Sequence, residues 1–452
     1  MKLSRKAFLV TIASLGLAAC GSDSDTIEYA NVQAVHASSD APMANVWIND
    51  KATLTDVDYG VGSGYIMVRE GSNSVQVDVQ LPGDEVATVV PRTVLDLGSD
   101  LKYTIFVVGD ADGSPNPVEP LIVTRSTESM ATENSLDVQV VHAASGVPAV
   151  DLYVTEPGVD LSTVMPVTKL AYKGSTDALN ILAGDYQVRL AVGDDVVFDS
   201  GTLSLAGNSN LTIAAIKTGD SNSSSPVKLV VLDGAGSSII QDIGSQAEVR
   251  VGHLVDGAPA VDVNVDGTPF APLADLAFKE IRGYLDLVPQ SYDIDVFVDG
   301  TATDPIFSVD DLAVEGGMDY SVYAVGVVNP SVAIEPLVVK DMRRAVATSA
   351  TLNLTHSAAN PMAEMVDIYL TTSTGIDGSD PTIANFTYKE SLQGLYVEEG
   401  TYYVTVTVAG DPGTVAIDSV PVNLMNGVVY QVVAIDDGNN GGFNLLVDDI
   451  TD

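Results

Sequence analysis

The chain contains four histidines, His36, His142, His253 and His356. Each lies in a copy of one segment: VQAVHASSDAPMANVWI from Val32, VQVVHAASGVPAVDLYV from Val138, VRVGHLVDGAPAVDVNV from Val249 and LNLTHSAANPMAEMVDIYL from Leu352. An imidazole can ligate a metal or act as a general base near neutral pH. A proline follows six residues later in three copies (Pro42, Pro148, Pro259) and five later in the fourth (Pro361). An acidic position recurs in the next strand as Asp151, Asp262 and Asp367, with Asn45 in the first copy. Histidine and carboxylate together could bind metal or move protons. The histidines are 106, 111 and 103 residues apart, however, which is one whole domain per repeat. They cannot meet in one site, and each would need partners from its own domain.

The positioning elements read as β-strands. In the opening strand Val32, Ala34 and His36 share one face by alternation, as do Val138, Val140 and His142; Val249, Val251 and His253; and Leu352, Leu354 and His356. Gln33, Gln139, Arg250 and Asn353 are neighbours on the opposite face. The histidine therefore lies inward at the end of its strand, where a ring nitrogen would bond backbone in the following loop. On this structural reading His142→Leu lowers the melting temperature and removes no activity. The recurrent acid alternates outward, which fits a solvated face or loop contact better than catalysis. Trp47, the single tryptophan, also alternates outward, at a position held by Tyr153, Asn264 and Tyr369 in the other copies. It could stack on a sugar or lie within a sheet face.

Each histidine segment is followed by an aromatic-centred stretch (Tyr59, Tyr172, Phe278, Tyr388), then by alternating strands such as YYVTVTV and by runs such as KYTIFVVG and NLTIAAIK. The 39 glycines and 21 prolines lie mostly between strand candidates. The expected fold is all-β, with four tandem immunoglobulin-like antiparallel β-sandwich domains at 28–126, 135–233, 247–341 and 350–452. Linkers fall near Thr127 to Asn134, Asp233 to Gln246 and Asp341 to Ser349; the first and third are short and charged, and the second, richer in Gly and Ser, is expected to flex more.

Residues 1–19 read as a targeting segment. Lys2, Arg5 and Lys6 precede an apolar run, Ala7 to Leu17, that ends in Leu17-Ala18-Ala19-Cys20-Gly21. Cys20 is the only cysteine, so no disulfide can form within the chain. The net charge of −41, from 61 acidic and 20 basic residues, disfavours nucleic acid and anionic lipid surfaces. Two acidic turns, Asp110-Ala111-Asp112-Gly113 and Asp436-Asp437-Gly438-Asn439, carry hard oxygen donors for a structural calcium. Neither continues into a twelve-residue calcium loop with its terminal glutamate, and the first is equally a turn between strands. No other metal or cofactor is expected. There is no Gly-x-Ser-x-Gly elbow, phosphate-binding glycine-lysine loop or His-Glu-x-x-His.

The leader resembles that of a bacterial lipoprotein, which implies lipidation of Cys20, here with palmitate among the acyl groups. Gly21 points to the outer membrane, on its periplasmic or surface-exposed face. The VHA opening, the H-x5-P spacing, the Val-Asp-Leu/Val-Tyr strand and the later Gly-x-Tyr-x-Val strand resemble the domain-of-unknown-function family numbered 4397, across residues 28–452. That family implies modular envelope or secreted proteins and transfers no catalytic residue. The expectation is a non-enzymatic, lipid-anchored cell-envelope protein whose four modules bind a surface glycan or another envelope protein, adhere, or act as a spacer. The alternative is an accessory or catalytic component acting on extracellular polysaccharide, with paired carboxylates.

Overall fold

The computed structural model describes residues 27–112, 115–219, 223–301, 303–328, 332–437 and 442–452. The leader and Cys20 lie outside the described residues. The described part is all-β, with four short 3-10 turns.

Repeat 1 shows the plan. Its strands are β1 (Tyr29–His36), β2 (Ala44–Ile48), β3 (Lys51–Val57), β4 (Ile66–Arg69), β5 (Gly71–Gln80), β6 (Val86–Leu97), β7 (Leu101–Val108) and β8 (Glu119–Ser126). They form two sheets, ordered β4-β1-β7-β8 and β3-β2-β5-β6. The other three repeats have the same two-sheet plan, and repeat 2 adds an edge strand, Ser237–Ile240. The β-sandwich expectation therefore holds, with one addition. β1 pairs parallel with β7, His36 opposite Val107, and the equivalent pair is parallel in every repeat. A parallel pair needs a long crossover, and here the whole second sheet and β4 lie between the two strands in sequence.

The core of each sandwich takes one face of the histidine strand. Ala30, Val32 and Ala34 pack with Val46, Val77, Val90 and Ile105. The other face is covered too. Val35, Ala37, Phe106 and Val108 of repeat 1 form a single apolar cluster with Val141, Ala143, Ala214, Ile216, Val230 and Leu232 of repeat 2. Leu254, Tyr323, Val325 and Val339 of repeat 3 likewise meet Val433 and Ile435 of repeat 4. The repeats therefore fold in pairs, through equivalent surfaces, as an isologous dimer would. The chain divides accordingly into two compact units, one ending at Gly244 and the other running Ser245–Asp452.

The polar side chains on this second strand face are buried as well. Gln33, Gln139, Arg250 and Asn353 do not face water; each is at most 3% exposed. Buried polar groups need partners. Gln139 donates across the pair to the Thr124 carbonyl at 3.1 Å, and Arg250 reaches Asp448 of repeat 4 at 3.5 Å.

The expected linkers are held as well. Asp137 accepts from Ser129 Oγ and from Met130 N–H at 2.9 and 2.8 Å. In the 233–246 stretch, Gly234 O accepts from Tyr65 N–H of repeat 1 at 2.9 Å and Ser237 Oγ accepts from Gly62 N–H at 2.8 Å. Glycine and serine there permit a close turn against repeat 1 instead of a loose tether. A Cβ on Gly64 would come within 2.7 Å of the Ala235 carbonyl oxygen.

Because Phe106 is fully buried in the pair interface, Phe106→Ala should cost about 3–5 kcal/mol. Calorimetry should show the melting of repeats 1 and 2 falling together while repeats 3 and 4 keep theirs. Independent melting of repeats 1 and 2 in the unmodified chain would contradict the pairing.

Candidate functional site

All four histidines are about 1% exposed. The Nε2–H of His36, His142 and His253 donates to the carbonyls of Pro42, Pro148 and Pro259 at 2.9, 3.0 and 2.9 Å. In repeat 4 the loop turns through Pro361–Ala363, and His356 donates to Ala363 O at 2.6 Å, not to a proline. Nδ1 accepts the N–H two residues on, from Ser38 and Ala144 at 3.4 Å and from Val255 at 3.3 Å. In the first three repeats both ring nitrogens are thus used by backbone, leaving no lone pair for a metal. Burial pulls the pKa of His142, His253 and His356 down, against the hydrogen bonds to the loop carbonyls. These rings are neutral.

The histidine backbone fixes a third segment. Its carbonyl accepts the N–H of Gly60, Lys173, Lys279 and Lys389 at 2.9, 2.8, 2.8 and 2.7 Å. Those residues have φ of 78°, 67°, 73° and 66°. The turn therefore demands a left-handed residue, which favours glycine, yet three repeats keep lysine. The lysine is used across the pair. Lys173 is ion-paired with Glu119 of repeat 1, Lys279 with Asp437 of repeat 4 and Lys389 with Glu335 of repeat 3. Each also lies 5.2–5.4 Å from the ring centre of its own Tyr172, Phe278 or Tyr388. In repeat 1, Tyr59 instead donates to Lys217 O and sits under Lys228 at 4.5 Å. The same aromatics meet the histidine edge to face at 6.2 Å. Burial raises the Tyr388 hydroxyl to about 12. These partly exposed ion pairs add little stability each, but their placement sets how two repeats align.

The recurrent acid is a backbone clamp. Asp367 is only 5% exposed, so a solvated face does not describe it. It accepts Asn385 N–H and Gly410 N–H, both at 2.8 Å. Asp262 accepts Asp275 N–H at 2.9 Å and Gly300 N–H at 3.1 Å, and Asn45 accepts Asp56 N–H at 2.9 Å. Asp56, Asp275 and Asn385 all have positive φ, between 52° and 57°. The clamp therefore holds an irregular neighbouring strand. Asp151 instead pairs with Lys169 at 3.5 Å. Trp47 is half-buried with its Nε1 enclosed and without a hydrogen bond, and Tyr369 is 4% exposed. Neither forms an open sugar platform.

The acidic turns face protein. Asp110 accepts from Ser145 Oγ and lies 3.6 Å from Lys217, both of repeat 2. Asp436 accepts Ala359 N–H at 2.7 Å, and Asp437 takes Lys279. Ala111 and Asp112 donate their N–H groups to the Asp40 carboxylate at 2.8 and 3.2 Å, and Gly113, Gly438 and Asn439 lie outside the described residues. Among the described residues, no cluster of three or more His, Cys, Asp or Glu side chains is placed to hold a metal ion.

One charged cluster was not foreseen. In the second unit the Tyr284 ring lies 3.9 Å from the Arg343 guanidinium and 5.4 Å from that of Arg250. Arg250 donates to Ser321 Oγ and Tyr323 OH, both at 2.7 Å. Ser321 and Tyr284 donate to Asp341 at 2.6 and 2.8 Å. Burial pushes Asp341 upward despite these donors and both arginines, and pushes Tyr284 far up and Tyr323 to about 12. Arg343 also pairs with Glu248 and donates to Ile450 O at 2.9 Å. In the sequence only Arg250, on the strand face opposite the histidine, signalled this cluster.

The repeated chemistry-bearing residues thus hold strands, loops and repeats together. A histidine whose folded pKa is depressed stabilises fully above its unfolded pKa, near 6.5. That contribution is lost as pH falls through the folded value. His142→Gln should cost about 1–3 kcal/mol at pH 7.5, through the lost buried hydrogen bond. It should also flatten the decline in melting temperature of the first unit between pH 7.5 and pH 5.5. An unchanged pH slope would show that His142 does not supply it. Asp367→Ala, which orphans two backbone N–H groups, should lower the melting temperature of the second unit by several degrees.

No curated protein matches the chain. A solved structure described as the Bacillus anthracis TIE protein aligns at 11% identity with a TM-score of 0.15, covering 91% of this chain and 75% of its own. Residues 30–153, 137–238 and 247–369 match the family described as "Domain of unknown function (DUF4397)". The first and third matches run into the opening strands of the following repeat, and the chain is a member of the DUF4397 family.

Proposed function

We propose that this repeat protein is non-enzymatic and serves as a lipid-anchored module of the bacterial cell envelope, presenting paired β-sandwiches to a surface glycan or another envelope protein. The supporting observation is that the recurrent histidines, lysines, aromatics and acids are all engaged in intramolecular contacts. Anchoring rests on the leader pattern ending at Cys20, where several acyl chains at one residue would hold firmly to a bilayer. Among the described residues no helix is long and apolar enough to cross a membrane.

Expressed in a bacterial host, the full chain should incorporate radiolabelled palmitate and partition into detergent. Cys20→Ser should abolish the labelling and release the chain to the aqueous phase; labelling that survives the substitution rules the anchor out. The purified chain, screened on a glycan array and by pull-down from envelope extract, should retain a ligand. Turnover of polysaccharide by the same preparation would overturn the non-enzymatic reading.

A further inference from the structure

Repeat 3 differs from its sister sandwiches inside. Repeats 1, 2 and 4 each have one continuous core cluster. The core of repeat 3 is split in two, around Tyr320 and Tyr292 on one side and around Leu273 and Leu276 on the other. Between them is a cavity with about 70 Å³ open to the centre of a water-sized sphere. One water needs roughly 10–15 Å³ by this measure.

The side chains explain the void. At equivalent strand positions, the Leu152–Leu190 cross-strand pair of repeat 2 is Val263–Val296 in repeat 3. Ile213 becomes Val322, and Leu229 becomes Pro336. All four replacements are smaller, and all four line the cavity. Ile294 in place of Val188 restores a little volume, and the bulk of Tyr320 in place of Leu211 falls outside the lining. The exposures agree. Val140, Val188 and Phe198 are at most 4% exposed, whereas their counterparts Val251, Ile294 and Phe307 are only half-buried.

The lining offers no hydrogen bond. His253 borders the space, but its Nε2–H is given to Pro259 O. Water inside would have no polar partners, so the cavity suits an apolar occupant. The open side lies at the sandwich edge. The edge strand there, Phe307–Ala313, has 7 residues, where β6 has 12, Asp195–Leu205 has 11 and Asp411–Leu424 has 14. Its Phe307, Val309 and Leu312 line the cavity while half-exposed, and Val338 of the facing sheet lines it while 41% exposed.

We propose that the sandwich of repeat 3 is a binding site for a small apolar molecule or the end of an alkyl chain, entering past the short edge strand. The site stands independently of the envelope reading. The first probe is n-hexane, added to the full chain labelled with ¹³C at Val and Leu methyls. Saturable shifts should appear at Val263, Val296 and Leu285 and not in repeats 1, 2 or 4. The double variant V263L/V296L restores the side chains of repeat 2. It should weaken hexane binding at least tenfold and raise the melting temperature of the second unit. If that variant does not fold, V322I alone should weaken binding in the same direction. A parallel titration with octanoate separates the sources. Binding of hexane alone assigns a free hydrocarbon, and binding of both assigns the chain of an amphiphile whose carboxylate stays at the edge. Non-saturable shifts, shifts shared by all four repeats, or hexane binding unchanged in the variants would overturn the proposal.

Discussion

The strand that carries each histidine is buried on both faces, and the rest of the architecture follows from that. One face belongs to the sandwich core, the other to the partner repeat. A strand in this position cannot be the edge of anything; it lies between β4 and β7, or their equivalents, in its own sheet. Its polar side chains must find partners in protein. The histidine does so by closing the loop that follows. Gln139 and Arg250 do so by reaching into the neighbouring repeat. The lysines at left-handed positions are placed by the histidine carbonyl and then pin the neighbour from its rim.

The two pairs meet this constraint with different chemistry. Between repeats 1 and 2 the contact is mainly aliphatic, around Phe106, Val141 and Ile216. Between repeats 3 and 4 a smaller apolar cluster is accompanied by Arg250, Arg343, Tyr284 and Asp341. Buried ion networks seldom add net stability over apolar packing, and one of their attested uses is to fix a register. Within it, burial pushes the Asp341 carboxyl upward while Ser321 and Tyr284 donate to it. The same unit also contains the underfilled sandwich, so the two pairs differ in the composition of both core and contact.

Much of the fold was legible in the sequence because it depends on local pattern. Period-two alternation marked Val32, Ala34 and His36 as one inward face, and that is where they are. Recurrence at about 100 residues marked the repeats. The parallel pairing of β1 with β7 was not legible, because it joins residues 71 positions apart in the chain with no local signature. The pair interface did leave a trace. Ile105, Phe106, Val107 and Val108 are continuously apolar instead of alternating, which is how a strand buried on both faces reads. The Gly- and Ser-rich stretch at 233–246 misled, since small residues serve equally for a flexible tether and for a strand and turn packed against a neighbour. For the candidate site, sequence placed each histidine at a strand end facing a backbone acceptor, but the acceptor in repeat 4 shifted to Ala363 with the loop.

The sequence alone determined what each strand is, how often the sandwich recurs and which residue types sit at its turns, because those depend on spacing within a few residues. Tertiary structure decided which repeat packs on which, which polar side chains are buried, and where the core is left unfilled. Those outcomes depend on surfaces assembled from strands some hundred residues apart. The difference of one carbon between Leu190 and Val296 has no meaning until the opposite wall of the sandwich is in place.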